Sequence, residues 1–198
     1  MFWLWLRILY SLSLMKKDNK SSKNTKKNKT NKTVKRYPKK YIPSYLSESN
    51  ARTLKEEIDK SQLFYHKKNP KYYIRRSVKT MKIKPSKHVL NAKKLYKISN
   101  MTINKELSRK TGCSIQGLNE IMRKGQGAYF TGSRPGQTPT SWGYARLASS
   151  ITGGKSSAVD FHILESHCNH KTSKAYSLAL KSKAKHGKGT RKVPKRLI

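Results

Sequence analysis

Tyr129, Phe130, Arg134, Trp142, Tyr144 and Arg146 all fall between Gly125 and Gly154, where lysine vanishes from an otherwise lysine-rich chain. Flat rings and planar guanidinium forks are the groups that stack a base and grip a phosphate through paired hydrogen bonds. Trp142 and Arg146 stand at i and i+4, so on a helix the guanidinium can lie along the indole or both can hold one ligand. Arg134-Pro135-Gly136 reads as a turn that pushes Arg134 outward, and Lys155 follows the Gly153-Gly154 stop. The same residues have a plainer use. Small helical domains fill their centres with aromatic side chains, and arginines bond the carbonyls at helix C-termini. The segment alone leaves both readings open.

A second constellation lies just upstream. In NKELSRKTGCSIQGLNEIMR (104–123), Leu107 and Ser108 precede Gly112, while Cys113, Leu118 and Ile121 follow at the offsets of a helix-turn-helix. Gly112 suits the turn and Ser114 suits the cap of the second helix, whereas Thr111 is a poor core residue. If the pair docks as DNA-binding versions do, Ser114, Gln116, Asn119, Glu120 and Arg123 face a major groove, with Lys124 beside them. Gln, Asn and Arg each read base edges through two hydrogen bonds. Any two helices joined by a glycine turn satisfy this pattern, so a structural hairpin and a protein-binding groove stand beside the nucleic-acid reading.

Other chemistry finds less support. Gly154-Lys155-Ser156 ends a nucleotide-loop motif only if Ser149 were glycine and the loop followed a strand, and Ser149 falls in a predicted helix. Asp160, His162 and Glu165 lie in a helix with apolar positions Val159, Phe161, Ile163 and Leu164, and no nucleophile accompanies them. His162, His167, Cys168 and His170 match no standard zinc spacing, so no metal and no cofactor is expected. Cys113 and Cys168 are far apart without a CxxC. That count excludes a disulfide framework and predicts a reducing compartment.

Charge organises the rest. The chain of 198 residues carries 46 Lys and Arg against 9 Asp and Glu, a formal net charge of +37, which predicts a polyanionic partner. Residues 15–40 read as a disordered basic arm and 171–198 as a basic tail, leaving 41–170 as the folded domain. That domain still holds 23 basic and 8 acidic residues. The apolar leader, 1–14, is too short to span a bilayer and carries Arg7. Translation from Met15 is favoured, with an interfacial anchor or a packed segment as alternatives.

The elements that must position these residues are short helices. One runs over 47–64 on Ala51, Leu54, Ile58 and Leu63, with Glu56 and Glu57 facing lysines. KYYIRRSVKTMKIK (71–84) alternates like a strand or an extended arm. Ser86 is expected to cap a helix through Val89, Ala92, Lys93 and Tyr96, and another, capped by Thr140 or Ser141, carries Trp142 to Arg146. The tail helix over 172–185 is expected only against a partner. The fold class is therefore mainly α, a small helical domain with a helix-turn-helix-like hairpin, little β structure and disordered basic N- and C-terminal arms.

The turn at Gly112-Cys113-Ser114, the run KGQGAYFTGSRPGQTPTSWGYARLASSITGGK and VDFHIL together resemble an uncharacterised domain family of large DNA viruses and tailed phages. KYIPSYLS, YYIRRSV and SKHVLNAKKLY are similar to its longer eukaryotic-virus versions, so the resemblance covers Tyr41 to Glu165. It implies a viral origin and a domain boundary, and no activity, catalytic residue or cofactor. The resulting expectation is a non-enzymatic viral nucleic-acid-binding protein, packaged with the genome and located in the virion and the host cytoplasm or nucleus rather than secreted. Its contacts would be Gln116, Asn119, Arg123, Lys124, Tyr129, Arg134, Trp142, Arg146 and Lys155. DNA ranks ahead of RNA as partner, and no stable membrane span is expected. The rival is a structural virion or capsid interaction protein, its arms threading beneath a capsid shell and its Gly-Arg-Trp segment gripping a protein partner; an enzyme acting on nucleic acid ranks last.

Overall fold

The computed structural model describes residues 35–67, 73–78, 86–187 and 194–198, all within one structural unit. The leader, the arm up to Val34, and residues 68–72, 79–85 and 188–193 lie outside them. Among the described residues the fold is mainly helical, with eight helices and one small antiparallel ladder.

Helix α1 (Glu48–His66) starts where the Ser47 hydroxyl accepts from the Asn50 amide, and buries Ala51, Leu54, Ile58 and Ser61. Leu63, expected on that face, is exposed, because two residues past Ser61 is about 200° around the helix. Helix α2 (Lys87–Tyr96) follows Ser86, whose side chain makes no cap bond, and donates its Tyr96 hydroxyl to Ile151 O at 2.6 Å. Helices α3 (Lys105–Thr111) and α4 (Ile115–Thr131) form the expected hairpin, with Gly112 at φ +73° and Ser114 accepting from the Gly117 amide. Thr111 is fully buried after all, since its hydroxyl bonds Leu107 O within the helix.

The stretch from Gly125 to Gly154 is largely helix. Gly125 and Gly127 lie inside α4, which crosses α5 (Pro139–Ile151) so closely that a Cβ on Gly125 would sit 2.7 Å from Gly143 Cα. Glycine here permits backbone approach rather than a turn. The cap of α5 is Thr138, not Thr140 or Ser141: its hydroxyl accepts from Ser141 N while Ser141 Oγ accepts from Thr138 N. Helices α6 (Lys155–Val159) and α7 (Phe161–His167) follow.

Two expectations at the C-terminal end are corrected. Within the expected tail, 171–198, the described residues 171–187 are not a separate disordered segment, because α8 (Lys174–His186) puts Ala175 and Ala179, both 0% exposed, into the main core. Its small apolar stripe finds its partner within the chain. Strand β1 (Arg36–Pro38) then pairs with β2 (Lys195–Leu197), Tyr37 opposite Arg196, so residues assigned to the two arms meet. Cys113 and Cys168 form a disulfide, 55 residues apart, where Ser114 N donates to His167 O and Asn169 N to Gly112 O. Sequence spacing does not show such adjacency, and the pairing removes the cysteine-based reason for a reducing compartment.

The core has two parts. The larger gathers residues of α2 to α5, α7 and α8 around Leu118, Ile121, Leu147 and Leu164. The smaller holds Tyr37, Ile42, Leu46, Ala51, Leu54 and Ile58, with Ile198 packed on it. Helix α1 ties them together: Ser61 Oγ donates to Phe130 O, Gln62 Nε2 to Thr131 O, and the Tyr65 and Phe130 rings stack at 5.7 Å. No helix among the described residues is long and apolar enough to cross a membrane.

Candidate nucleic-acid interface

Glu57 organises the site from beneath. It is 4% exposed on α1, and its carboxylate accepts the Tyr73 hydroxyl at 2.8 Å, the Arg76 amide at 2.9 Å and Arg76 Nε at 3.3 Å. Burial would raise its pKa, but these hydrogen bonds outweigh burial and hold it below the usual carboxylate range. The expectation that Glu57 faces lysines is thereby replaced. The carboxylate clamps the extended segment 73–78 onto α1, and so places Arg75.

Arg75 is held against the end of α4. Its Nη2 donates to Tyr129 O at 2.7 Å and to Ser133 Oγ at 2.6 Å, and the guanidinium lies 4.1 Å from the centre of the Tyr129 ring. The Tyr129 hydroxyl in turn accepts from the Arg75 amide at 3.3 Å. Arg75 Nη1, also buried, has no hydrogen-bond partner among the described residues. Beside it opens a cleft of about 200 Å³. Leu54, Ile58 and Ile74 form an apolar wall, Arg75 and Arg134 supply charge beside the Glu57-paired Arg76, and Gly136 to Thr138 at the start of α5 close the rim. No Asp or Glu is in the lining.

The electrostatics agree with that composition. Burial pushes the Tyr41 hydroxyl up, while the charges of Arg75 and Arg134 pull it part of the way back. His88 is driven down by desolvation and then by Arg134, although the residue as a whole stays exposed. The start of α5 adds the positive end of its dipole to the rim.

The residues expected to act together are divided among several places. Tyr129 is 1% exposed with Arg75 over its face, so it positions a guanidinium instead of stacking a base. Arg134 is exposed on the cleft. Arg146 is turned to Asp160, with Nε to Oδ2 at 2.8 Å and Nη2 to Oδ1 at 2.6 Å, and Ser150 donates to the same fully buried carboxylate. Lys124 reaches Asp160 at 3.9 Å and His162 Nε2 at 3.1 Å. Trp142 is half-buried on α5, and Lys155 is half-buried at the start of α6; neither lines the cleft.

Gln116, Glu120 and Arg123 are exposed along α4, with Asn119 half-buried between them. His167 takes up part of that face. Gly117 packs on the His167 side chain, Ser114 Oγ meets His167 Nδ1 at 3.1 Å, and Glu120 approaches His167 Nε2 at 3.8 Å.

The sequence does not single out Arg75, Tyr41 or Ser133. The Arg75-Arg76 pair in an alternating stretch is the available signal, but nothing local shows that one arginine serves Glu57 and the other lines a cleft with Arg134. No curated protein and no solved structure matches the chain. Residues 38–170, spanning the segment that builds the cleft, α1 and the hairpin, match the model of a family of unknown function (DUF5824), and the chain belongs to that family.

Proposed function

We propose that the protein is a non-enzymatic nucleic-acid-binding protein of viral origin, packaged with the genome. One observation carries the reading: a cleft lined by Arg75 and Arg134, beside the Glu57-paired Arg76 and with no Asp or Glu in its lining, on a chain with a net charge of +37. Charge of that size steers polyanions to the surface, and guanidiniums at the cleft offer bidentate contacts to phosphate. The acid–base alternative loses its buried member, because the Asp160 carboxylate is committed to Arg146 and Ser150. The viral origin rests on the resemblance of the central motif. The exposed α4 face with Gln116 and Arg123 offers a second surface for the same partner.

The test is binding of the full chain to single- and double-stranded oligonucleotides at two salt concentrations. A protein contacting about 6–10 phosphates loses about 10³ to 10⁵ in affinity between 50 and 200 mM salt, and a fall of that size is expected. Salt-independent binding, or none, overturns the proposal.

A further inference from the structure

We propose that the Arg75–Arg134 cleft receives one unstacked nucleotide of a single strand, its phosphate between the two guanidiniums and its base against the apolar wall. This rests on the nucleic-acid-binding reading and assigns it a site and a substrate class. Arg75 is oriented by the Tyr129 carbonyl, the Ser133 hydroxyl and the Tyr129 ring, and this orientation leaves Nη1 buried without an acceptor among the described residues. A buried, charged donor left unsatisfied costs folding free energy, and a phosphate that draws the Arg75 guanidinium toward the cleft relieves that cost. Arg134 stands exposed on the same cleft, where a phosphate bound by Arg75 is open to a second cation.

The other wall is apolar. Leu54 and Ile58 form its base, and Ile74 remains 61% exposed beside the arginines. A ligand that satisfies both walls has an anionic group joined to a flat or apolar one. The cleft, about 200 Å³, is below the about 300–1,000 Å³ of sites that enclose drug-sized ligands. A stacked duplex keeps its bases away from such a recess, whereas a strand end or an unpaired residue can lower one base into it. The chain's charge favours a nucleic acid over an acidic peptide as the source of that phosphate.

The full-length protein is titrated with thymidine 5′-monophosphate, thymidine and inorganic phosphate, followed by calorimetry. Thymidine 5′-monophosphate should bind about tenfold or more tightly than either fragment, because both walls contribute. Arg134→Ala and Ile74→Asp should each weaken it by about tenfold or more, with thermal midpoints recorded to show that both variants fold. Leu180→Ala, exposed on α8 and outside the cleft, should leave it unchanged.

Inorganic phosphate binding as tightly as the nucleotide would overturn the proposal in favour of a bare anion site. Preferential binding of an aspartate-rich peptide would overturn it in favour of a protein partner. If oligonucleotides bind while the mononucleotide does not and Arg134→Ala leaves oligonucleotide affinity intact, this site falls and the broader reading stands. If no oligonucleotide binds, both fall.

Discussion

Arg146 and Arg75 are both held against the helical body by paired contacts, and they differ in what remains free. At the junction of α5, α6 and α7, the Arg146 fork meets a carboxylate that is itself 0% exposed, and Ser150 completes the shell. At the end of α4, Arg75 is fixed by a backbone carbonyl, a hydroxyl and a ring face, all neutral, and one nitrogen has no partner among the described residues. Two arginines, each half-buried, therefore carry opposite implications. A guanidinium opposite a buried carboxylate is a structural tie, whereas one fixed by neutral groups keeps its charge for something else.

If both regions belong to one cooperative body, removing a shared support should break both at once. Ending the chain after His170 deletes α8, with Ala175 and Ala179 in the main core, and β2, which pairs with β1 beside the smaller core. Urea unfolding of that shortened chain should lose its cooperative transition. A retained sharp transition would show that α8 is dispensable and that the basic tail is a tail after all.

Next in size is Asp160→Asn. Removing one partner of a buried ion pair leaves Arg146 uncompensated, so a loss of about 3–5 kcal/mol is expected in chemical denaturation. A loss under about 1 kcal/mol would mean that the Arg146 charge is tolerated without a counter-ion, and the contrast with Arg75 would dissolve.

Acid should act on the cleft through Glu57. Its carboxyl is held below the usual range in the fold, so its contribution is present above its unfolded pKa and is lost as pH falls through the lower, folded value. The thermal midpoint of the protein should drop on acidification below about pH 4, and Glu57→Gln should flatten that part of the profile. An unchanged acid limb in the variant would show that Glu57 does not clamp segment 73–78.

The smallest stability effect belongs to Arg134→Ala. An exposed cation on a cleft without carboxylates contributes little to folding, so the change should stay within about 0.5 kcal/mol in thermal denaturation. Destabilisation well beyond that would make Arg134 a structural residue like Arg146.

Much of the helical framework is legible in the amino-acid sequence. The hairpin around Gly112, the Ser114 cap and the inward stripe Ala51, Leu54 and Ile58 all follow from relations spanning a turn or two of helix. Capping and periodicity are short-range physics, so the local sequence carries them. The residues of the cleft are less legible. Tyr129 and Arg134 stand out for their chemistry, but the partner that decides their use, Arg75, lies 54 residues from Tyr129 along the chain.

By itself, then, the amino-acid sequence determined a basic, mainly helical protein with its hairpin in place, because composition and i to i+4 spacing are local properties. Only the tertiary structure decided that Gly125 and Gly143 bring two helices into contact, that Cys113 meets Cys168, and that α8 belongs to the core. It also decided which arginine meets a carboxylate. Whether a charge is satisfied depends on groups that folding brings together from distant parts of the chain, and at Arg146 and Arg75 those groups are an aspartate in one case and a neutral carbonyl and hydroxyl in the other.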